Sequence, residues 1–319
     1  MSKLAPTATV QLDEMNVDIF KHIGNTPLMR FESLETMCPG VEIYAKAEWF
    51  NAGGSVKARP ALNMILEGIK RGNLKPGMTI LDSTSGNTGV AYALIGHVMG
   101  YKVKLVMPAN VCNARKQLLA SHYNAEVFYS DALQSSDGAI RMTKEVYSKD
   151  PEQYFWPDQY NNDDNWKAHL QSTAPEIWEQ TEHRVTHFMA GIGTSGTVMG
   201  TSYGLKGFSD NIKCYSIEPA ESLHGIEGLK HMATSIVPRI YDQSKLDGKV
   251  TVKTEDAYAM VSRIEQEKNL SIGSSAGAAL VAAVELGKTL NEGVIVTILP
   301  DSCECDVASG GFGLINCGK

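Results

Sequence analysis

The sequence lacks the features of a membrane protein, a secreted protein or a nucleic-acid-binding protein. No stretch approaches the roughly 18 consecutive apolar residues that a membrane-spanning helix needs, and the N-terminal stretch MSKLAPTATVQLDEM lacks the apolar core of a signal peptide. The formal net charge is −7, and no basic block is present that would bind a phosphate backbone or an anionic lipid surface. We therefore expect a cytoplasmic enzyme whose partners include neither nucleic acid nor membrane.

Cysteine and histidine are too scattered to predict a disulfide scaffold or a metal site. The closely spaced pair Cys303 and Cys305 has no second cysteine pair or nearby histidine to complete a metal shell, and the histidines form no HxH or HExxH pattern. We expect no bound metal and reduced thiols. The six cysteines are Cys38, Cys112, Cys214, Cys303, Cys305 and Cys317.

Short strand-like runs alternate with helical patterns along the chain. This alternation predicts an α/β protein with open, mostly parallel twisted sheets flanked by helices, in which ligands bind beyond the carboxyl ends of the strands. At 319 residues the chain is long enough for two lobes. The expected strands lie at 42–49, 79–84, 102–108, 125–130, 186–193, 213–219 and 293–300, and the later helices lie near 164–182, 196–206, 254–268 and 276–290.

Two early helices are predicted from apolar residues recurring at i, i+3, i+4 and i+7. Pro60 fits only the first turn of a helix, so the first of them begins next to Lys57. The second begins at about Gly89. The predicted apolar faces consist of Leu62, Ile65, Leu66 and Ile69 in the first helix and of Ala91, Leu94, Ile95 and Val98 in the second.

Two adjacent glycines precede Lys57 in the stretch FNAGGSVKARP. Glycines let the backbone approach a ligand closely, and a lysine with a perturbed pKa can act as a nucleophile or form an imine. The same residues also occur in ordinary turns beside a solvated lysine. The stretch alone therefore leaves both interpretations open.

Three further loops combine glycine with small hydroxyl residues at the start of a helix. GIGTSGT (191–197) favours an anion such as phosphate, although its GxGxxG spacing also leaves a dinucleotide site or plain packing glycines as alternatives. STSGNTG (83–89) offers uncharged donors that suit a carboxylate, and its amide side chain suits a phenolate-like oxygen; helix capping is the alternative. The side chains at the start of SIGSSAGAAL (271–280) are small enough for a planar ring to lie close to the backbone.

An imine-forming lysine, a phosphate cup, a neutral donor for a ring oxygen and a serine for a ring nitrogen together match pyridoxal 5'-phosphate. Seven motifs occur in the order seen in the cysteine synthase and cystathionine β-synthase family, the fold type II (β-family) pyridoxal phosphate enzymes. The chain resembles this family up to about residue 302. The motifs are IGNTPL (23–28), NAGGSVK (51–57), TSGNTG (84–89), DQYNN (158–162), TAPEIW (173–178), GIGTSGT (191–197) and GSSAGAA (273–279).

The resemblance implies a role for each matched residue. Lys57 would carry the Schiff base and act as the base for the α-proton, Asn87 would bond the phenolic oxygen, and Ser275 would face the pyridine nitrogen. The cofactor's phosphate would be held by Gly193, Thr194, Ser195, Gly196 and Thr197. The substrate carboxylate would be bound by Thr84, Ser85, Gly86, Thr88 and Gln159.

The same resemblance implies a two-lobed homodimer. A larger domain that binds the cofactor's phosphate would consist of 1–53 and 164–319. A smaller, mobile domain at 54–163 would carry the Schiff-base lysine and the substrate-carboxylate loop.

The implied reaction is β-replacement on an activated L-serine through an α-aminoacrylate. A serine facing the ring nitrogen stabilises a protonated ring less than a carboxylate does, which favours loss of a β-leaving group over transamination. The first hypothesis is a cysteine synthase that uses O-acetylserine or O-phosphoserine and sulfide. Alternatives are a cystathionine β-synthase using serine and homocysteine, β-elimination of the cysteine desulfhydrase or serine dehydratase type, and a diaminopropionate-type synthase with an amine nucleophile.

Some details of the sequence bear on the donor and depart from the family. Lys230 falls where cysteine synthases that accept O-phosphoserine carry a cation for the donor phosphate; a solvated surface lysine is the alternative. The motifs NAGGSVK and DQYNN resemble those of cystathionine β-synthases more than those of common cysteine synthases. Ala58 replaces an aspartate that usually braces the lysine loop. The tail after PDS also lacks the family's Arg-Tyr continuation, which leaves donor specificity and the dimer contacts near the tail open.

Overall fold

The computed structural model describes residues 18–84, 86–111 and 116–302, and within these ranges it does not describe the side chains of His122 and Ser135. The strands are β1 (Leu28–Arg30), β2 (Val41–Ala47), β3 (Thr79–Ser83), β4 (Lys102–Pro108), β5 (Glu126–Ser130), β6 (Tyr154–Phe155), β7 (His187–Gly191), β8 (Lys213–Pro219), β9 (Gly248–Val252) and β10 (Gly293–Leu299).

The α-helices are α1 (Glu32–Glu35), α2 (Ala58–Lys70), α3 (Asn87–Met99), α4 (Ser135–Lys149), α5 (Asp163–Gln171), α6 (Thr173–Gln180), α7 (Gly196–Phe208), α8 (Thr254–Lys268) and α9 (Ser274–Gly287). Short 3-10 turns lie at Asp18–His22, Glu48–Phe50, Ala132–Gln134 and Gln243–Lys245, and a π turn lies at Leu118–His122. Among the residues described, no helix combines the length and the apolar character that a membrane span requires.

The described strands form two sheets. One has six strands in the order β1-β2-β10-β7-β8-β9, and the other has four in the order β5-β4-β3-β6. Every neighbouring pair is parallel except β1 and β2. The predicted α/β fold with mostly parallel sheets is confirmed, whereas the exact domain boundaries stay a prediction.

Both faces of the six-stranded sheet are covered, as parallel sheets require. Along β10, Ile295 and Leu299 belong to one hydrophobic core with Leu280 of α9, while Val296 and Ile298 belong to the core on the opposite face. The four-stranded sheet has hydrophobic cores of its own, and the larger of these contains many side chains from α2 and α3. The buried cysteines Cys38 and Cys214 are free thiols, as predicted. The other four cysteines lie outside the described residues.

All seven predicted strands are present, and three short ones were missed. β1, β6 and β9 have three, two and five residues. A strand of two or three residues is too short for a period-2 pattern, and Val252 is the one fully buried residue of β9, so the apolar signal of β9 is weak.

The predicted apolar face of α2 was partly wrong. Leu66 is 44% exposed, whereas the buried face contains Ala61, Met64, Ile65 and Gly68. A Cβ on Gly68 would lie 2.4 Å from Cζ of Phe155, so β6 packs directly against the helix backbone. Small residues therefore mark the buried face because they allow this close approach. Helix α3 is buried on nearly every side, so its predicted face is not distinct.

The single helix expected near 164–182 is two helices, α5 and α6, separated at Ser172. The Ser172 backbone is non-helical, with φ −126° and ψ −65°, and its hydroxyl donates to the Ala168 carbonyl at 2.7 Å. Pro175 has no N–H to donate and is tolerated only in the first turn of a helix. The chain therefore restarts at Thr173, which places Pro175 in the first turn of α6.

Candidate active site

Lys57 lies directly before α2, at the end of a loop bent by Gly53 and Gly54. Both glycines have positive φ angles, 89° and 72°, which other residues rarely adopt. The loop is attached to the end of β10, because the Val56 N–H donates to the Pro300 carbonyl at 2.8 Å and Ser55 forms a bridge with Asp301. Burial lowers the pKa of the Lys57 amine, although Asp301 and Glu48 oppose that shift. A lowered pKa favours the neutral, nucleophilic amine.

Asn87 and the loop containing Ser275 meet at the same place. Asn87 Nδ2 donates to Asp301 Oδ2 at 2.6 Å across 214 residues of sequence. A Cβ on Gly273 would lie 2.4 Å from Asp301 Oδ1, so only glycine lets the start of α9 come this close. Ser275 is the second residue of α9 and is buried. Lys57, Asn87 and the Ser275 loop, all predicted, are thus brought together around Asp301.

Asp301 was missed by the sequence analysis. The sequence position of Asp301 could have indicated a site residue, because Asp301 follows a buried strand and Pro300 at the carboxyl edge of a parallel sheet, where ligands bind. Its partner Asn87 is so distant in sequence that no local pattern joins the two residues.

The predicted carboxylate loop begins at the end of β3. Thr84 Oγ1 accepts hydrogen bonds from the backbone N–H groups of Gly86 and Gly89, both at 3.0 Å, and so stabilises the first turn of α3. Thr88 Oγ1 donates to Gln159 Oε1 at 2.9 Å, and Gln159 Nε2 donates to the Ser83 carbonyl at 2.5 Å. Thr84, Gly86, Thr88 and Gln159 are therefore adjacent. The predicted Ser85 lies outside the described residues.

A buried carboxylate, Asp82, lies at the end of β3 just before this loop. It accepts hydrogen bonds from the Tyr92 hydroxyl at 2.9 Å, from Trp156 Nε1 at 3.2 Å and from the Gln159 N–H at 3.3 Å. Burial, aided by the nearby Asp158, raises the pKa of Asp82 to about 7.

The predicted phosphate loop connects β7 to α7. A Cβ on Gly193 would lie 2.5 Å from the Gly228 carbonyl oxygen, and one on Gly196 would lie 1.8 Å from Asn165 Oδ1, so neither position admits a side chain. Asn165 Nδ2 donates to Thr194 Oγ1 at 3.0 Å and to the Gln159 carbonyl at 2.6 Å. Asn165, which was not predicted, therefore joins the predicted phosphate loop to Gln159 of the predicted carboxylate site.

Ser195 has the features expected of an anion ligand. It immediately precedes α7 with a positive φ of 71°, and its hydroxyl makes no capping hydrogen bond to the helix. The hydroxyl oxygen is buried, and no hydrogen bond joins it to any residue in the described ranges. A buried hydroxyl without a partner at the N-terminus of a 13-residue helix fits a phosphate group.

Thr197 contacts a buried histidine. Thr197 Oγ1 lies 3.3 Å from His169 Nε2, while His169 Nδ1 lies 2.9 Å from Thr173 Oγ1. Burial and the positive charge of Arg59 lower the pKa of His169 to about 3, so its imidazole is neutral at physiological pH. A neutral ring orients the Thr197 hydroxyl without adding charge to the loop.

Arg59 provides the brace that Ala58 cannot. Its guanidinium binds both carboxylate oxygens of Glu48, at 2.7 and 2.8 Å, and both of Glu176, at 2.6 and 2.8 Å. Glu176 also pairs with the fully buried Lys46 at 2.8 Å. These bonds hold the first turn of α2, and hence Lys57, against α6 and the 3-10 turn at Glu48–Phe50 that follows β2.

Lys230 is buried, with 6% of its side chain exposed, so the alternative of a solvated surface lysine was wrong. Its ammonium group lies 3.0 Å from Asp137 Oδ1 and 4.9 Å from the centre of the Tyr160 ring. Tyr160 directly follows Gln159. The structure thus places Lys230 over the residue that follows Gln159 of the predicted carboxylate site.

Three comparisons with known proteins agree with this site. A family model described as pyridoxal-phosphate dependent enzyme matches residues 19–301. A cysteine synthase from Aquifex aeolicus is 48% identical over 292 residues, covering 90% of this chain and 89% of the relative. The solved O-acetyl serine sulfhydrylase isoform 3 from Entamoeba histolytica matches with a TM-score of 0.83 at 34% identity, covering 100% of this chain and 96% of that chain.

A further solved structure, the O-acetylserine dependent cystathionine β-synthase from Helicobacter pylori, matches with a TM-score of 0.84 at 32% identity, covering 92% of this chain and 97% of that chain. The fold is that of a fold type II pyridoxal-phosphate dependent enzyme, and the cofactor is pyridoxal phosphate. Within that class, the chain belongs to the cysteine synthase family. No cluster of three or more potential metal-ligating side chains occurs in the part of the chain that the structure describes.

Proposed function

We propose that this enzyme makes cysteine by β-replacement on an activated L-serine, with O-acetyl-L-serine or O-phospho-L-serine as donor and sulfide as nucleophile. The C–O bond at the β carbon breaks, acetate or phosphate leaves, and a C–S bond forms at the same carbon. The 48% identity to a cysteine synthase over most of the chain supports this choice. The observation that carries it is the convergence of Lys57, Asn87 and the Ser275 loop at one edge of the sheet.

Lys57 is the proposed catalytic base. When bound, pyridoxal phosphate withdraws electrons from the α carbon of the amino acid and so makes its proton removable. The Lys57 amine removes that proton and returns it when the product forms. The lowered pKa supports this role, because a larger fraction of neutral amine is available near neutral pH.

The remaining assignments concern binding. Asn87 would donate to the cofactor's phenolic oxygen, Ser275 would face the ring nitrogen, and residues 193–197 would hold the phosphate. The donor's carboxylate would bind at the loop beginning with Thr84, and Lys230 would lie at the donor site. The N-terminus of α3 and the neutral donors of the loop support carboxylate binding, because they attract an anion without neutralising Lys57. The residues proposed for the carboxylate are Thr84, Ser85, Gly86, Thr88 and Gln159.

Three further expectations belong to the same proposal. The enzyme would act in the cytoplasm and as a homodimer. Its smaller domain, 54–163, would move relative to 1–53 and 164–319 when the donor's carboxylate binds. The origin of the four-stranded sheet entirely within 79–155 supports this division of the chain.

Product analysis tests the proposed function. The purified holoenzyme is mixed in turn with L-serine, O-acetyl-L-serine and O-phospho-L-serine, each with sulfide, with homocysteine or with neither. Cysteine formed from an activated donor and sulfide is the expected main product. Pyruvate and ammonia as main products, whatever the nucleophile, would instead establish β-elimination.

Cystathionine β-synthase activity is the second candidate. The match to an O-acetylserine dependent cystathionine β-synthase favours testing it, although that match is at 32% identity rather than 48%. Cystathionine formed with homocysteine faster than cysteine with sulfide would establish this second function.

A further inference from the structure

The environment of Lys230 bears on which donor the enzyme selects. Asp137 contacts the same short segment through both carboxylate oxygens. Its Oδ1 lies 3.0 Å from Lys230 Nζ, and its Oδ2 accepts the Ile236 N–H at 3.1 Å. The carboxylate is therefore fixed in place by two donors, and it directly neutralises the buried ammonium.

Lys230 lies between the two proposed binding loops. Its backbone N–H donates to the carbonyl of Ile192, which precedes Gly193 of the phosphate loop. Its ammonium lies over the ring of Tyr160, next to Gln159. Asp137 reaches this position from α4, a helix that packs on the four-stranded sheet and contributes none of the predicted site residues.

We propose that Asp137 is a specificity-determining residue: by occupying Lys230, it makes the site select a donor with an uncharged β-substituent, such as an acetyl ester, over a phosphate ester. This inference rests on the proposed function and narrows its donor. A phosphate ester would have to displace a carboxylate held by two hydrogen bonds or lie beside it, and like charges in a partly buried site repel each other. An acetyl ester meets no such repulsion.

The test compares wild type with Asp137→Asn, Lys230→Met and the double variant. We expect O-acetyl-L-serine to be the better donor for wild type, measured as kcat/KM with sulfide. In Asp137→Asn the ratio of kcat/KM for O-phospho-L-serine to that for O-acetyl-L-serine should rise at least tenfold. The double variant should show no such rise, because the freed ammonium is then missing.

Two controls separate this role from a structural one. Glu145→Gln removes the same charge at an exposed position eight residues further along α4 and should leave the donor ratio unchanged. Calorimetric titration of each holoenzyme with the phosphonate analogue of O-phospho-L-serine, in which a CH2 group replaces the ester oxygen so that no group can leave, measures binding without turnover and should give an at least tenfold lower Kd for Asp137→Asn than for wild type.

An unchanged donor ratio and an unchanged Kd in Asp137→Asn would overturn the inference, as would a gain that persists in the double variant or a wild type that prefers O-phospho-L-serine. Failure of the proposed function looks different. In that case wild type forms no cysteine from either donor. The Kd values of wild type and Asp137→Asn from calorimetry still show whether Asp137 keeps a phosphate group away from Lys230.

Discussion

The loops at 84–89 and 191–197 are built alike, but the described hydroxyl groups of the two loops differ at Ser195. Each connects the carboxyl end of a parallel strand to the start of a helix. In the first, the Thr84 and Thr88 hydroxyls are already bonded within the protein, to backbone amides and to Gln159. In the second, the Thr194 and Thr197 hydroxyls are likewise bonded, to Asn165 and His169, but the buried Ser195 hydroxyl makes no hydrogen bond to any described residue.

We infer from this difference that a glycine- and hydroxyl-rich loop has two separable functions. Hydroxyls that bond to the loop itself fix its shape, and the fixed backbone then binds a ligand. A buried hydroxyl left without a protein partner costs free energy unless a ligand supplies one. We therefore expect loss of Thr84 to lower stability and loss of Ser195 to lower cofactor affinity.

The largest effect is expected from Gly196→Ala in the second loop. The added Cβ would lie 1.8 Å from Asn165 Oδ1, and Asn165 cannot move without breaking its bonds to Gln159 and Thr194. We expect a loss of about 3 kcal/mol in the free energy of unfolding, measured in urea, and loss of most bound cofactor. The matched control is Gly207→Ala in the same helix, where a Cβ meets no atom within 4 Å. A similar loss in both variants would contradict the crowding argument.

Ser195→Ala should weaken cofactor binding without destabilising the apoprotein. A hydrogen bond to a charged group contributes about 1.5–3 kcal/mol, so we expect the Kd for pyridoxal phosphate to rise roughly tenfold to a hundredfold. The apoprotein should melt no lower than wild type, because the removed hydroxyl has no partner among the described residues. An unchanged Kd in a spectroscopic titration would remove Ser195 from the phosphate site.

Thr84→Val should destabilise the apoprotein without weakening cofactor binding. It removes the acceptor for two N–H groups at the start of α3 and should lower the free energy of unfolding of the apoprotein by about 1–2 kcal/mol. Its Kd for pyridoxal phosphate should stay within about threefold of wild type, a change of less than 1 kcal/mol. If Thr84→Val and Ser195→Ala changed stability and cofactor affinity alike, the contrast between the loops would be refuted.

The smallest effect concerns pH. Burial raises the pKa of Asp82 in the folded state from an ordinary 3.8 to about 7, so the folded protein binds more protons than the unfolded chain between these values. Its contribution to stability is therefore present below about pH 3.8 and is lost as the pH rises toward 7. In Asp82→Asn, urea unfolding between pH 5 and 7 should show a smaller decline with pH than in wild type. Parallel curves would show that Asp82 does not titrate in this window.

The parts of the site that the sequence revealed are local ones. Strand-like runs predicted the sheets, and the glycines before Lys57 and within 191–197 predicted loops that approach a ligand. The missed residues act across long stretches of chain. Asp301 meets Asn87 across 214 residues, and Asp137 meets Lys230 across 93. Such pairs depend on how the elements pack, which local spacing does not encode.

The error at Leu66 has the same origin. The spacing of apolar residues predicted that Leu66 is buried. Instead, Phe155 packs closely against Gly68, so the side of α2 that carries small residues is buried. Likewise, Arg59 was not assigned a role, and one of its two carboxylate partners, Glu176, lies 117 residues away. Spacing indicates that a helix is amphipathic, while the packing partner decides which of its residues are buried.

The most direct test of the central claim is to identify the lysine that carries the cofactor. The wild-type holoenzyme is reduced with borohydride, digested, and its peptides are sequenced by mass spectrometry. We predict that the reduced cofactor is attached to Lys57. Attachment to another lysine, such as the buried Lys46 or Lys230, or no attachment at all, would contradict the account.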